Sequence, residues 1–228
     1  MRQSTEATMQ SSHPAAQRIQ AVMSHLLAPS HSSAPGQSHL SPQAMAAASA
    51  TPSAAAALPF SVPTPVSPTD SHLLIRRAVA SDYHKGHLEL LSQLTSAEPV
   101  SAEAYAERIA EMHQRSGRAY SLLVIEDTSA ASPDGNGKGL IVASATLVTE
   151  LKLVHGCGAA GHIEDVVVRQ QGYRGKNLGA AIIRALHQVA RAQGCYKVML
   201  DCSQKNTAFY AKLGYHLSEC HMRINLDK

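Results

Sequence analysis

Val166-Val-Val-Arg-Gln-Gln-Gly-Tyr-Arg174-Gly175-Lys176-Asn177-Leu178-Gly179 carries three β-branched residues into a glycine-rich turn, and an apolar helical stripe begins where the turn ends. The continuous valines suit a strand buried on both faces, read here as the centre of a sheet. A helix is predicted from Asn177, because Leu178, Ala181, Ile182, Ala185, Leu186, Val189 and Ala190 fall on one face and Gly194 sits where a C′ glycine belongs. Strand, glycine turn and helix in that order let a ligand approach the backbone, and they aim first-turn N–H groups and the positive dipole end at it. Arg174 and Lys176 add fixed positive charge, so the loop is suited to a phosphate or pyrophosphate. The plainer alternative is a tight strand-to-helix turn whose basic residues are merely solvated.

Working outward, His72 to Val79 reads as a strand, and Asp82 as the N-cap of a helix with Leu88, Leu91 and Leu94 on its apolar face. Ser101 caps a second helix carrying Tyr105, Ile109 and Met112, and Gly117 stops it. Tyr120–Ile125 and Leu140–Leu151 read as a hairpin joined by a long loop over 128–139, which holds Asp134-Gly135 and Asn136-Gly137. After the long helix come a strand over Tyr196–Leu200, a short helix over Lys205–Leu213, and strand-like pieces near Tyr215–Leu217 and His221–Leu226. The prediction is an α/β domain over residues 71–228, with a mixed, mostly antiparallel sheet flanked by helices.

Composition separates that domain from what precedes it. Between Met1 and Thr69 the only charged residues are Arg2, Glu6 and Arg18, and nine of the chain's 11 prolines lie there among Ala, Ser, Gln and His. So few large apolar side chains cannot offset the entropy of ordering, so residues 1–70 are expected to be disordered. A formal charge of +3 and a pI near 8.7 give no basic stripe for nucleic acid. No apolar run approaches the ~20 residues of a membrane span. The four cysteines, Cys157, Cys195, Cys202 and Cys220, lack CxxC spacing, which points to reduced thiols, and the ordinary preference of a free thiol predicts their burial.

Arg174 to Gly179 resembles the pyrophosphate motif [Q/R]-x-x-G-x-[G/A] of the GNAT superfamily of acyl-CoA transferases, with Asn177 in place of the first glycine. The predicted element order is also the order of that superfamily, so loop and topology agree. Four further segments, Gly161-His-Ile-Glu-Asp-Val166, Gly194-Cys-Tyr-Lys197, Leu200-Asp-Cys202 and Asn206-Thr-Ala-Phe-Tyr-Ala-Lys-Leu-Gly-Tyr215, resemble the glucosamine 6-phosphate N-acetyltransferase family. That resemblance implies a homodimeric enzyme using acetyl-CoA and glucosamine 6-phosphate on the way to UDP-N-acetylglucosamine, with no metal. Two alternatives stay open, a transferase for another amine such as a peptide or polyamine, and a non-catalytic acetyl-CoA-binding regulator.

Carried over residue by residue, the resemblance implies that Val166, Val167 and Val168 meet the pantetheine, that Arg174, Gly175, Lys176, Asn177, Leu178 and Gly179 hold the pyrophosphate, and that Asn206 adds a cofactor contact. Tyr210 would face the thioester sulfur, since a phenol of pKa ~10 can donate to a departing thiolate. Asn206 and Tyr210 share a helix face at i, i+4, which leaves Phe209 and Leu213 for core packing. Asp201 and Glu164 join Tyr210 as catalytic candidates. Glu164 and Asp165 are neighbours in a strand and so point to opposite faces, with at most one reaching a given ligand atom. Thr95, Lys152, His155, Tyr196 and Lys197 match positions near the sugar phosphate. The family's C-terminal arginine is replaced by Asn225, and Arg223 is the substitute nearest to it.

Arg18-Ile19, five residues, then His25-Leu26 resemble a type-2 peroxisomal targeting signal, [R/K]-[L/V/I]-x5-[H/Q]-[L/A]. Ile19, Val22, Met23 and Leu26 also form an apolar helical stripe that a receptor groove could accept. The expected compartment is a peroxisome or glycosome, with the cytoplasm as the alternative. Residues 1–70 fused to a fluorescent protein should give punctate fluorescence that Arg18→Ala with His25→Ala makes diffuse. A diffuse signal from the unmutated fusion, in cells that import through this signal, refutes the assignment.

Overall fold

A computed structural model describes residues 59–226 apart from 97, 116–118 and 136, with Gln114 and Arg115 described by their backbone alone. The targeting motif at Arg18-Ile19 and His25-Leu26, and most of the expected extension, lie outside the described residues, as does the helix-stopping Gly117. Six strands form one sheet in sequence order: β1 (Thr64–Pro65), β2 (Leu73–Arg77), β3 (Tyr120–Ala131), β4 (Lys138–Leu151), β5 (Ala159–Val168) and β6 (Cys195–Leu200). All neighbours are antiparallel except β5 and β6, which run parallel. The principal helices among the described residues are α1 (His87–Leu91), α2 (Ala102–Ala110), α3 (Leu178–Ala192) and α4 (Thr207–Ala211).

Period-2 alternation in β3 builds two cores. Leu123 and Ile125 face α3, while Leu122 and Val124 face α1 and α2, so the sheet lies between helical layers. The predicted stripe of α3 is the filling of the first core: Leu178, Ile182, Ala185, Leu186 and Val189 are buried, each large aliphatic contributing about 1.5–3 kcal/mol. Gly194 adopts φ +77° just beyond the helix, the left-handed conformation that ends it without strain. Ser101 accepts a hydrogen bond from the Ala104 amide at 3.2 Å, so the second predicted helix and its cap stand.

Several expectations are corrected. The sheet centre is β3 and β4; β5 is fifth of six strands, beside the edge strand β6. The domain boundary expected at residue 70 is too late, because Thr64 and Pro65 pair with Ile75 and Leu74, and Phe60 and Val66 pack on the core. Asp82 does not open a long helix. A 3-10 turn at Ala80–Tyr83 and left-handed Gly86 separate it from α1, and its fully buried carboxylate instead takes the Arg76 guanidinium at 2.6 and 2.9 Å and the Val79 amide at 2.9 Å. The strands expected at 215–217 and 221–226 are absent, and most of that segment is exposed without ladder partners. Cys157, Cys202 and Cys220 are exposed and Cys195 is half-buried, against the expected burial.

The second core also encloses a polar chain. His87 is 1 % exposed, and its ring nitrogens contact the Tyr105 hydroxyl at 2.7 Å and the Ser144 hydroxyl at 2.8 Å, joining α1, α2 and β4. Burial pushes the His87 pKa down to about 4, and burial also lowers that of His113 to about 4. A histidine kept neutral in the fold takes up protons less readily than in the unfolded chain. Stability is therefore complete above pH ~6.5 and is lost as pH falls towards 4. His87→Asn should lower stability at pH 7 by roughly 1–3 kcal/mol through unpaired hydroxyls and should flatten the loss between pH 6.5 and 4 by the His87 share, leaving that of His113. Equal pH slopes in urea melts of the two proteins would remove His87 from this role.

Candidate active site

The parallel pairing of β5 with β6 starts at Ala159 opposite Cys195 and stops at Ile163 opposite Leu200. Beyond that point β5 continues to Val168 along β4, while the chain leaves β6 at Asp201. Among the described residues, 164–168 of β5 therefore present a strand edge with no strand on the β6 side. An amide-bearing chain can pair with such backbone groups as a seventh strand would.

The same stretch contains a bulge. Ser144 faces Val167 and Thr146 faces Glu164, so two steps on β4 span three on β5, and Asp165 takes φ +53°. The extra residue reverses the side-chain alternation: Ile163 belongs to the α3-facing core, Val166 and Val168 pack against that same core, and Val167 turns to the opposite one. Of the adjacent pair, Glu164 alone comes within 4 Å of His162, in keeping with the expectation that at most one of the two reaches a given group. Both are exposed.

Three elements converge on the open edge. Asn177, at φ 58°, precedes α3 without making a side-chain cap, so the first-turn amides of a 15-residue helix remain available to an anion. A Cβ placed on Gly179 would lie 3.3 Å from Phe209 Cζ and 3.6 Å from Val168 Cγ2, so the helix start touches both the end of β5 and α4. Arg174, Gly175 and Lys176 are exposed, and among the described residues neither basic side chain has a carboxylate partner. Gly175 adopts φ +82° with open space around it.

The loop is rooted by residues that sequence reasoning did not single out. Arg169, 8 % exposed, donates to the Ile141 carbonyl at 3.2 Å, the Gly86 carbonyl at 3.1 Å and Glu89 at 2.9 Å. Gln93 accepts the Gln170 amide at 3.0 Å. Tyr173 donates to Asp127 at 2.8 Å, its pKa pushed up to about 12 by burial and that carboxylate, and the Lys176 ammonium lies 5.0 Å from its ring. The usable signal was an arginine directly after an apolar strand, a position where it can reach back across neighbouring chain ends.

Tyr210 is buried at 9 % exposure, and it packs edge-on to Phe209 at 5.0 Å and Tyr215 at 5.9 Å. The expected division of labour is thus reversed. Phe209 is half-exposed towards Gly179, and Tyr210 is the core aromatic while also lining a cavity of about 320 Å³ with Leu200, Cys202 and Thr207. Leu213 does pack against the core. Desolvation raises the Tyr210 pKa, with Cys202 adding to the shift, so its hydroxyl keeps its proton at neutral pH. Asn206 is exposed one residue before α4.

At the point where β5 and β6 part, His162 Nε2 lies 3.6 Å from a Glu164 carboxylate oxygen and 3.4 Å from Asp201, and His221 Nδ1 lies 3.1 Å from the same Asp201 oxygen. Glu164 and Asp201 are thus brought together, around a histidine the sequence reading passed over. Asp165 stays outside this group. The residues expected at a sugar phosphate form another. His155 stacks with Tyr196 at 4.4 Å between ring centres, Lys197 lies 6.0 Å from the Tyr196 ring, and Lys152 is paired with Glu150. Lys197 stands opposite Ala160, four residues or about 13 Å along the strand from Glu164, so within one chain the two groups remain separate. Thr95 is exposed beyond α1, and Arg223 is exposed in the irregular C-terminal segment.

Residues 88–215 match the model of the acetyltransferase (GNAT) family. The chain belongs to that family. Among curated GNAT relatives, the glucosamine 6-phosphate N-acetyltransferase of Trypanosoma brucei brucei is 44 % identical over 140 residues, covering 61 % of this chain and 87 % of the relative. That of Arabidopsis thaliana is 40 % identical over 153 residues, covering 67 % and 96 %. The crystal structure of the Arabidopsis enzyme superposes with a TM-score of 0.61 at 37 % identity, over 68 % of this chain and 99 % of that one. A crystal structure of a Trypanosoma brucei acetyltransferase gives 0.57 at 41 % identity, over 68 % and 99 %. The GNAT fold implies acetyl-CoA as cosubstrate, and the strand edge and α3 terminus are complementary to its amides and pyrophosphate.

Arg174→Ala should raise the KM for acetyl-CoA by roughly tenfold, the scale of one lost charge-assisted contact, with a smaller change in the KM of the acceptor amine. Gly179→Val should be worse, because its side chain must enter the narrow space between Phe209 and Val168. Equal effects on both substrates would contradict the assignment of this loop.

Proposed function

We propose that this protein transfers the acetyl group of acetyl-CoA to the amine of glucosamine 6-phosphate, releasing N-acetylglucosamine 6-phosphate and CoA. The observation carrying the reading is the trypanosomal relative's 44 % identity over 87 % of its length, joined to an open β5 edge that abuts the α3 amides.

The reaction is direct transfer within a ternary complex. The neutral amine attacks the thioester carbonyl, backbone donors near Val166 polarise that carbonyl, and the C–S bond breaks as the C–N bond forms. Tyr210, protonated at neutral pH, donates to the departing thiolate. The proton shed by the nitrogen passes to Glu164, Asp201 or water. Holding both reactants at the parting of β5 and β6 makes this proximity catalysis, and the carboxylates of Glu164 and Asp201 are the groups nearest to hand for the amine and hydroxyls.

The phosphate end of the sugar falls to Lys152, His155, Tyr196 and Lys197, with Arg223 as a further cation. A homodimer is part of the same proposal. Leu151 and Leu153 beside this group are 87 % and 93 % exposed, and Met222, Ile224 and Leu226 form a period-2 apolar row at 92 %, 81 % and 81 %. Exposed aliphatic side chains in such number are what a partner surface would cover. A second copy covering it would bring its own residues towards the sugar site.

Thiol release should be seen with glucosamine 6-phosphate and acetyl-CoA, and Tyr210→Phe should lower turnover by ~10²-fold while leaving acetyl-CoA affinity nearly intact. Release with peptides or polyamines but not the amino sugar would overturn the substrate. Unchanged turnover in the variant, with chemistry rate-limiting, would overturn the role of the tyrosine.

A further inference from the structure

We propose that His162, Glu164 and Asp201 form a binding site for a divalent cation of the zinc class, and that a cation held there excludes the acceptor amine. The blocking half rests on the reading of Glu164 and Asp201 as amine-binding groups; the binding half does not. Topology makes the cluster. His162 and Glu164 are two residues apart, before the bulge, and so share one face of β5. Asp201 follows Leu200, the last β6 residue in register with β5, so its carboxylate emerges at the same place.

The separations fit a cation better than hydrogen bonds. At 3.6 and 3.4 Å, His162 Nε2 is beyond the usual 2.7–3.2 Å of an N–H···O contact. That nitrogen is sealed from solvent and has no hydrogen-bond partner, although the ring as a whole is only three-quarters buried. A tetrahedral zinc with bonds of about 2.0–2.1 Å sets neighbouring ligand atoms about 3.4 Å apart, and the three ligand atoms here all lie within 4.8 Å of one another. Closing the longest separation takes only a rotation of exposed carboxylates.

Chemistry and surroundings agree with the geometry. Two carboxylates and a neutral imidazole balance a doubly charged ion, and a nitrogen in the set favours zinc over magnesium or calcium. His221 Nδ1 lies 3.1 Å from the Asp201 oxygen, placed to serve as the outer partner that ligating carboxylates commonly have. Three protein ligands leave a fourth position for water. A cation so placed occupies both carboxylates and repels an ammonium.

The chain has 13 histidines and four cysteines, so the test must separate this site from adventitious ones. Metal-free full-length protein titrated with cobalt(II) should show a visible band of a four-coordinate nitrogen–oxygen site without thiolate charge transfer, displaced by zinc. His162→Leu and Asp201→Asn, each checked for an unchanged circular dichroism spectrum, should each lose one equivalent of bound metal, and His221→Ala should weaken it about 10-fold or more. Identical titrations of wild type and both ligand variants would overturn the site. In the kinetic arm, zinc should compete with glucosamine 6-phosphate and not with acetyl-CoA. Binding at His162 without any competition would instead overturn the placement of the amine at these carboxylates, leaving the cation site intact.

Discussion

The loss of pairing between β5 and β6 after Ile163 and Leu200 is the constraint on which the site depends. A parallel pair held to its end would spend the backbone groups of residues 164–168 on a ladder and leave nothing for a ligand. The strands part because β5 carries an additional residue at Asp165, which bends it and increases its twist while β4 keeps it in the sheet. The bulge also decides which valines face α3, since it resets the alternation so that Val166 and Val168 join Ile163 on that side and Val167 turns to the other.

An open edge binds only if its surroundings are rigid, and the buried polar contacts supply that. Arg169 ties the end of β5 to Gly86, Glu89 and Ile141, so the glycine turn grows from a fixed base. Farther off, Arg76 bridges Asp82 and Glu126, and Lys85 reaches Glu126 at 2.6 Å, joining β2 and β3 to the chain that leads into α1. Buried charges of this kind stabilise little in net terms but are costly to break singly. Here they fix the position of α1, which holds Glu89 against Arg169.

Most of the fold was legible wherever local pattern and tertiary packing agreed. The stripe from Leu178 to Ala190, the Ser101 cap and the Gly194 stop are local signals, and all three stand. The bulge was not legible, since no residue type marks it: Asp165 is one of the few non-glycine residues at positive φ, and only the pairing with Ser144 and Thr146 demands it. Tyr210 and Phe209 were exchanged for a similar reason, because i, i+4 spacing gives which residues share a face but not which face meets the core. His162 was passed over because its neighbours Glu164 and Asp201 are distant in sequence, and a lone histidine in a strand carries no signal. The C-terminal row Met222, Ile224 and Leu226 reads as a strand by its period-2 pattern, yet among the described residues no strand pairs with it.

The central claim is that acetyl-CoA completes the sheet at the exposed edge of β5 while its pyrophosphate sits on the first turn of α3. Amide hydrogen exchange with and without saturating acetyl-CoA tests it most directly. The account predicts slowed exchange in two separated segments, 164–168 and 175–181, with little change in β2 and β3. Protection absent from 164–168 while acetyl-CoA is demonstrably bound would contradict it.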